Sequence, residues 1–400
     1  MKKTWLLGFG FFSISITWAL YNAFVPLFLD TYVHKASLIG FLMTINSYFA
    51  VFFQPWIGNL SDKTNTRFGR RMPYLMFGMP LAALFMVLVP FHTSLITLIL
   101  FMVLMDFAMS IYRSPTIALM PDITPDHQRT KANGIINFMG GIGGILAFGV
   151  GSKLYGTNPA FPFLAAAAIT LLSLLILVRS IKEKRDVISP VPVEKRPKIK
   201  WRGELDRTTV LLLAAIFFWF VSYQGVETLF TLYGKHHMGL SEKDSAFSLT
   251  FFSLFFVLFA IPSGWLGNRY GKRKIIMMGV IGLFLTFAAV PLAKGLLLLR
   301  ILLAIGGICW ALININSYPF VVSIGSESSI GTRTGLYYLI SSLAAIVSPP
   351  LLGWIIDQFG YGSLFIYASA SMLLAFVFIL LVKHDGKSAA IAKEHAQASV

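Results

Sequence analysis

Long apolar stretches, separated by short polar or Pro/Gly-rich breaks, follow one another along almost the whole chain. A helix that crosses the hydrocarbon core of a membrane needs about 20 mostly apolar residues, and twelve stretches have roughly that length. They cover residues 5–29, 37–60, 73–91, 94–120, 132–153, 161–179, 209–233, 245–266, 275–292, 296–324, 332–356 and 362–382. The pattern therefore predicts an all-α membrane protein with twelve membrane-spanning helices.

The positive charges are distributed unequally between the two sides of the predicted membrane. Twelve alternating spans place both termini on one side, and that side holds 26 of the 33 lysines and arginines, against 5 on the other side. Because Lys and Arg are enriched in cytoplasmic loops, the imbalance predicts that both termini are cytoplasmic. We expect a multi-pass protein of the plasma (inner) membrane, in contact with the lipid bilayer.

The composition agrees with this interpretation and excludes several functions. Hydrophobic residues make up 56% of the chain and charged residues 12%, whereas about 25% of the residues of a soluble protein are charged. The net charge of +16 is mostly explained by the orientation in the membrane, so we expect no nucleic-acid partner. The single cysteine, Cys309, excludes an intramolecular disulfide and a cysteine metal cluster.

The longest polar interruption falls between the sixth and the seventh predicted span and divides the chain into two halves. Its three prolines and mixed charges favour a solvated linker, with an amphipathic segment on the membrane surface as the alternative. The predicted units are an N-terminal six-helix bundle (1–180), a cytoplasmic linker (181–208), a C-terminal six-helix bundle (209–383) and a cytoplasmic tail (384–400).

A motif after the second span is repeated after the eighth. GNLSDKTNTRFGRR (58–71) aligns with GWLGNRYGKRK (264–274) once a four-residue insertion is allowed. Both copies have the same orientation, and such internal repeats are typical of secondary transporters, which bind their solute near the midplane between the halves. The candidate gate residues are Gly58, Asp62, Lys63, Gly69, Arg70 and Arg71 in the first copy, and Arg269, Gly271, Lys272 and Arg273 in the second.

With these motifs the sequence resembles the major facilitator superfamily over nearly its whole length. The resemblance implies two pseudo-symmetric six-helix bundles, alternating access, a cavity lined by helices 1, 4, 7 and 10, and a motif that latches the outward-facing state. The latch role has a physical basis: glycine lets two helix ends approach closely, and the charged residues can pair in only one of the two conformations. The alternative is that the motif is simply a positively charged cytoplasmic turn. Three segments are similar to the sucrose/proton carriers, the glycoside–cation symporters and their bacterial relatives. They are the four-residue insertion followed by RRMPY, the segment WALYNAFVPLFL (18–29) and the segment RSPTIALMPDITPDHQRTKANG (113–134).

Charged residues inside predicted spans are the sharpest functional candidates, because each costs about 2.5–3.5 kcal/mol at the centre of a bilayer. Three lie deep in apolar sequence: Asp106, Arg113 and Glu227. Three others, Asp30, Arg300 and Asp357, lie near the outer ends of their helices, where we expect them to reach the membrane surface.

Glu227 is the first candidate for proton coupling and Asp106 the second. A carboxyl group in apolar surroundings holds a proton more tightly, which suits reversible protonation near neutral pH. Asp106 and Arg113 are two turns apart on one face of a helix, so Arg113 could bind substrate hydroxyls or balance a carboxylate. A structural charge pair and a hydrogen-bonded structural Glu are the alternatives.

A sugar needs flat apolar surfaces on which to stack and polar groups that bind its hydroxyls in pairs. Taken singly, each aromatic or amide candidate could equally be a packed core residue or an interhelical hydrogen bond. The candidate substrate-binding residues, with Arg113, are Trp18, Tyr21, Asn22, Gln54, Asn137, Tyr223, Gln224, Trp310 and Asn314.

These observations predict a monomeric proton-coupled symporter of a small polar solute. The first candidate is an oligosaccharide, meaning a disaccharide or α-glucoside such as sucrose or maltose. No catalytic, metal-binding or nucleotide-binding motif is present in the sequence, so we expect neither an enzyme nor a cofactor. The alternatives are a sodium-coupled glycoside symporter, a proton-driven exporter of sugars or drugs, a non-transporting receptor or scaffold and, last, an intramembrane enzyme.

Overall fold

The computed structural model describes residues 2–125, 128–183, 206–323 and 330–382, and within these ranges it contains helices and no β-strand. Twelve helices are long and apolar enough to span a membrane, which confirms the predicted number and fold class. They are α1 (Lys3–Asp30), α2 (Ala36–Lys63), α3 (Met72–Phe91), α4 (Leu95–Ile123), α5 (Lys131–Thr157), α6 (Phe161–Ser180), α7 (Arg207–His236), α8 (Glu242–Tyr270), α9 (Lys272–Leu292), α10 (Leu296–Ser323), α11 (Thr332–Phe359) and α12 (Ser363–Leu381).

Side chains cap several of these helices where short loops end. The hydroxyl of Ser94 accepts the main-chain N–H of Thr97 at the start of α4, at 3.2 Å. Asp206 caps α7 in the same way, and Ser241 caps α8. Each cap satisfies one of the N–H groups that the first turn of a helix leaves without a partner.

The helices form two six-helix bundles with the same internal packing. In the first bundle α1 packs against α5 and α6, α4 packs against α2 and α3, and α3 packs against α6. In the second bundle the corresponding helices make the corresponding contacts: α7 with α11 and α12, α10 with α8 and α9, and α9 with α12. The parallel repeat seen in the sequence is therefore a repeat of tertiary packing.

The two ends of the molecule differ. The linker face contains the turn 64–71 and residues 181–183, and the far face contains the turns 31–35 and 237–241. Between the bundles, α1 contacts α7, α2 contacts α11 and α5 contacts α8. A methyl group added at Gly40 of α2 would collide with the main chain of Pro349 in α11, so these helices touch near the far face. This conformation is closed at the far face.

Two aspartates near helix ends contact the opposite bundle. Asp30 is 7% exposed, and its carboxylate binds Lys235 and His236 of the second bundle. Asp357 binds the first residues of α2 in the first bundle. The expectation that these residues reach the membrane surface is wrong for Asp30, which is buried against the second bundle, because hydrophobicity along one helix does not show which side of it faces a partner. Asp357 is exposed, and it also contacts the other bundle, which the sequence did not indicate. Arg300 stays within its own bundle, 3.5 Å from the carboxylate of Asp244.

The predicted linker and tail lie largely outside the described residues, which omit 184–205 and 383–400. The boundaries proposed for the bundles, the linker and the tail therefore stay predictions.

Candidate substrate and proton-coupling site

Trp18 and Arg113 border the space between the bundles, and Tyr21 lies fully buried against Trp18. The rings of Trp18 and Tyr21, one turn apart on α1, meet edge to face with centroids 5.6 Å apart. The guanidinium carbon of Arg113, on α4, lies 5.9 Å from the Trp18 ring centroid. Among the described residues no carboxylate lies within 4.0 Å of this guanidinium, and the indole N–H of Trp18 has no hydrogen-bond partner. The partly exposed guanidinium of Arg113 is thus available to a ligand, whereas the unpartnered indole N–H of Trp18 is enclosed.

Asp106 lies beside Tyr21 and is only 1% exposed. Its Oδ2 accepts a long hydrogen bond of 3.5 Å from the hydroxyl of Tyr21, and its Oδ1 has no partner among the described residues. Most buried polar atoms in proteins are hydrogen-bonded, so an unpartnered carboxyl oxygen calls for an explanation. Asp106 and Arg113 do not form the ion pair that a purely structural role would suggest.

Glu227 faces the other bundle at membrane depth. It lies on α7, close to Asn22 on α1 of the other bundle and to Tyr223 one turn earlier on its own helix. Glu227, Asn22 and Tyr223 are all partly exposed rather than buried, so they border the space between the bundles. A change in the charge of Glu227 therefore acts directly on a contact between the halves.

Tyr223 also begins an aromatic surface that belongs to the second bundle. Its ring stacks on that of Trp310, on α10, with centroids 4.1 Å apart and planes within 2° of parallel. Phe220, one turn earlier on α7, meets Trp310 edge to face at 5.7 Å. Asn314 follows Trp310 by one turn and is partly exposed. Each bundle thus contributes aromatic rings with polar groups beside them.

The remaining candidates lie in less specific surroundings. Gln224 on α7 and Gln54 on α2 are partly exposed. Asn137 is exposed on α5 toward the linker face, and its amide donates to the main-chain oxygen of Asn133 at 2.9 Å. The structure thus brings the candidates Trp18, Tyr21 and Arg113 of α1 and α4 into contact with one another, and likewise Tyr223 and Trp310 of α7 and α10.

The first copy of the repeated motif forms a cluster of ion pairs at the linker face. Arg71 is bound to Asp62 of its own motif, to Asp122 of α4 at 3.1 Å and to the hydroxyl of Ser61 at 2.5 Å. Arg70 binds the other oxygen of Asp122 at 2.6 Å. All these partners belong to the first bundle, so among the described residues the cluster does not join the bundles.

Glu183 completes this cluster and was not predicted. It is 1% exposed, and its carboxylate accepts the main-chain N–H groups of Arg70, Arg71 and Met72 at 2.9–3.0 Å, at the start of α3. Gly69 has a φ of +113°, and any side chain there would collide with Glu183. In the sequence Glu183 is hidden within the run of charges after the sixth span, and only the fold brings it to α3.

The second copy of the motif makes different contacts. Arg273 donates to the main-chain oxygens of Ile379 and Leu380, at 3.1 and 3.0 Å, at the end of α12. Arg269 lies over the Trp265 ring at 5.1 Å, and Gly271 has a φ of +93° with open space around it. The two lysines among the gate candidates lie at helix ends: Lys63 ends α2, and Lys272 begins α9. Gly58, the first glycine of the motif, packs closely on α4, since a side chain there would come within 2.8 Å of the Ser114 hydroxyl.

Twelve helices in two repeated bundles, with polar and charged groups between them at membrane depth, define a secondary transporter. The sequence profile of the Major Facilitator Superfamily matches residues 7–256 and 237–400. The chain belongs to the Major Facilitator Superfamily.

Among curated proteins, the chain is 26% identical over 332 residues to the class B tetracycline resistance protein of Escherichia coli, covering 81% of this chain and 80% of that one. It is 24% identical over 406 residues to the quinolone resistance protein NorA of Staphylococcus aureus, covering 97% and 98%. Among solved structures, the nucleoside transporter NupG matches with a TM-score of 0.77 at 16% identity, covering 95% of this chain and 100% of that one. A bacterial homologue of the lysosomal transporter Spinster, in an inward-facing and occupied conformation, matches with a TM-score of 0.74 at 16% identity, covering 95% and 94%.

Proposed function

We propose that this protein is a proton-coupled carrier of a small polar organic solute that works by alternating access, with a sugar as the first candidate solute. The observation that carries the proposal is the position of Glu227. Its carboxyl group faces Asn22 of the other bundle and borders the space between the halves. Protonation there removes a charge from the interface that must rearrange during transport, which couples a proton to the movement. Asp106 is the second candidate proton carrier.

The surroundings of Glu227 support a solute that has both a flat apolar face and hydroxyl groups. Trp18 on one side and Tyr223, which stacks on the buried Trp310, on the other are the partly exposed rings of this region. Arg113 supplies a planar donor without a carboxylate partner among the described residues. Sugar sites combine these two features.

Proton-driven export is the second candidate, and the sequence relatives favour it. Two of the curated proteins described above are a tetracycline and a quinolone resistance protein. Both import and export can use an acidic residue between the bundles, so the site chemistry supports either direction.

Counterflow in proteoliposomes tests the solute class. Vesicles holding the purified protein are loaded with one unlabelled compound from a panel of disaccharides, tetracycline and a quinolone, and entry of the same labelled compound is followed at pH 6 and pH 8. Trapping of a disaccharide supports the first candidate. Trapping of tetracycline or the quinolone alone would replace it with the second.

The driving ion and the direction are tested with imposed gradients. We expect the trapped compound to accumulate when protons flow in the same direction, with no requirement for sodium. Accumulation against the direction of proton flow identifies an exporter, and accumulation that follows sodium at constant pH contradicts proton coupling.

The orientation with both termini in the cytoplasm and the monomeric state remain part of this proposal. The excess of positive charge on the linker face supports the orientation. With that orientation, the far face is the outer face of the membrane, and the conformation described above is closed to the outside.

A further inference from the structure

At the far face a carboxylate of one bundle caps a helix of the other. Asp357, in the last turn of α11, accepts the main-chain N–H groups of Ala36 at 2.7 Å and Ser37 at 3.1 Å, and it also binds the Ser37 hydroxyl. These are the first residues of α2, whose own capping residue, Lys35, makes no side-chain capping bond. The N-terminus of a helix favours a negative charge, so Asp357 stabilises α2 from across the interface.

A second connection joins α1 to α7 at the same face. One carboxylate oxygen of Asp30 lies 3.0 Å from Nζ of Lys235 and 2.8 Å from Nε2 of His236. Asp30 is almost fully buried, while the two partners are about one third exposed. A buried carboxylate that depends on partners from the other bundle loses those partners when the bundles separate.

A third connection extends this pair to α5 and α8. Lys235 is 3.0 Å from Oε1 of Glu242, at the start of α8, and Oε2 of Glu242 accepts the hydroxyl of Tyr155 of α5 at 2.7 Å. The helix pairs α5–α8 and α2–α11 correspond under the internal repeat. Each pair is therefore fastened at its far end by one carboxylate from the second bundle.

Close backbone contact makes these bonds specific to the closed conformation. Gly40 of α2 touches the main chain of Pro349, and Gly353 of α11 touches the main chain of Ala36, with no room for a side chain at either glycine. Opening the far face must pull these backbones apart. Hydrogen bonds are effective only to about 3.2 Å, so a separation of a few ångströms breaks all three connections.

We propose that Asp30, Lys235, His236, Glu242 and Asp357 form a pH-sensitive latch that holds the far face closed and that a proton on His236 tightens. A neutral His236 gives Asp30 one hydrogen bond, whereas a protonated His236 gives it an ion pair. That ion pair exists only while α1 and α7 are together, so lower pH favours the closed far face.

Other titratable and charged groups lie near His236 in the part of the chain that the structure describes. Its ring stacks on that of Tyr361 with centroids 4.8 Å apart. The groups in contact with it are Asp30 on α1 and Tyr361 after α11, with Lys235 and His237 beside it in the chain. Glu242 on α8 binds Lys235, and Asp357 on α11 interacts with Tyr361. The nearest of them is the carboxylate of Asp30, and it lies on the other bundle.

Spin-label distances between the bundles test the latch without any transported solute. Thr93 and Lys294 are exposed, lie in the two corresponding loops of the far face and belong to different bundles. Replacing Cys309, the single cysteine, with Ser gives a background for Thr93→Cys and Lys294→Cys in the full-length protein. The purified, labelled protein in lipid nanodiscs is measured by pulsed electron paramagnetic resonance at pH 5.5 and pH 8.

Removing the Asp357 carboxylate, which caps α2, should open the far face. We expect Asp357→Ala to raise the ratio of long to short distances about tenfold at both pH values, which corresponds to the loss of one charged hydrogen-bonded contact. The matched control is Asp244→Ala, because Asp244 is a carboxylate at the same face that binds Arg300 within its own bundle. Asp30→Asn, which removes the second connection, gives an independent measurement if Asp357→Ala is poorly produced. Distances unchanged from those of Asp244→Ala in both variants would overturn the latch.

The role of His236 is tested by the pH response. In the otherwise unchanged labelled protein the long-distance fraction should fall about threefold from pH 8 to pH 5.5, the size expected for one partly exposed ion pair. His236→Gln should lose this response, and His92→Gln should keep it, because His92 packs on Phe28 and Tyr32 inside the first bundle. If the long-distance fraction of His236→Gln still falls as in the unchanged protein, His236 is not the group that makes the latch sensitive to pH. Since the readout is a distance, this result does not depend on which solute or ion the carrier moves.

Discussion

At the scale of single residues, the protein concentrates its chemistry in the few charges that lie at membrane depth. Arg113 and Asp106, two turns apart on α4, do not neutralise each other. Glu227 faces the opposite bundle. Charged groups are costly in this environment. Arg113 and Glu227 border the space between the bundles, whereas Asp106 is buried.

Glu227→Gln should abolish pH-driven accumulation while leaving solute exchange largely intact. The amide keeps the size and hydrogen-bonding capacity of the side chain and removes only the titratable proton. The measurement is uptake into proteoliposomes with and without a pH gradient, beside counterflow without one. Asp244→Asn, at the far face, serves as the control and should keep both activities. Undiminished proton-coupled accumulation in Glu227→Gln would rule out the assignment.

Arg113→Lys should weaken solute binding by about tenfold, because Lys retains the charge but loses the planar pair of donors. The dissociation constant of the solute identified by counterflow checks this. Arg300→Lys is the matched control, since Arg300 also lies over an aromatic ring, that of Phe247 at 5.0 Å, but at the far face. Wild-type affinity in Arg113→Lys would return this residue to a structural role.

At the scale of helices, the two copies of the repeated motif have diverged. The first copy binds carboxylates of α4 and of the segment after α6, and the second binds the carbonyl end of α12. Both copies keep a glycine with positive φ, which ordinary residues adopt at a cost of about 1–2 kcal/mol. The surroundings of the two glycines differ, and so should the effects of substituting them.

Gly69→Ala should lower thermal stability clearly more than Gly271→Ala. Both changes strain the backbone, but only the methyl group at position 69 displaces Glu183 from the start of α3. Thermal unfolding of the purified variants in detergent, followed by circular dichroism, measures the difference. Equal losses in the two variants would mean that backbone strain alone explains the glycines.

Glu183→Ala should destabilise the first bundle by about 1–3 kcal/mol, because three N–H groups at the start of α3 lose their acceptor. Glu183→Gln keeps one acceptor oxygen and should fall between Ala and the unchanged protein. The same unfolding assay gives this order. If the Ala variant melts at the temperature of the unchanged protein, the cap does not contribute to stability.

At the scale of the whole molecule, the bundles are fastened at the far face in the conformation described. The ion pairs of the first motif copy stay inside the first bundle. The resemblance to the superfamily implies that this motif latches the opposite conformation. Two sets of electrostatic contacts, one at each face, would then alternate as the bundles rock about the central site.

Asp62→Asn should therefore shift the Thr93–Lys294 distances toward the short, closed population. Loss of one partly exposed ion pair, worth up to about 1 kcal/mol, corresponds to a change of about fivefold in the ratio. Asn268→Ala, at the equivalent position of the second copy, is the control and should leave the ratio unchanged. A shift of Asp62→Asn toward the long distances would contradict the predicted latch.

The sequence by itself determined the number of spans, the duplication and the residues worth testing. Apolar runs and repeated motifs are local properties, and a membrane helix satisfies its own main chain, so these features can be counted along the chain. The tertiary structure decided which side of each helix faces a partner. It alone brought Glu183 to α3, separated Arg113 from Asp106 and placed Asp30 and Asp357 between the bundles. Such contacts join residues up to 321 positions apart, and no local pattern of polarity encodes the distance between two helices that only packing brings together.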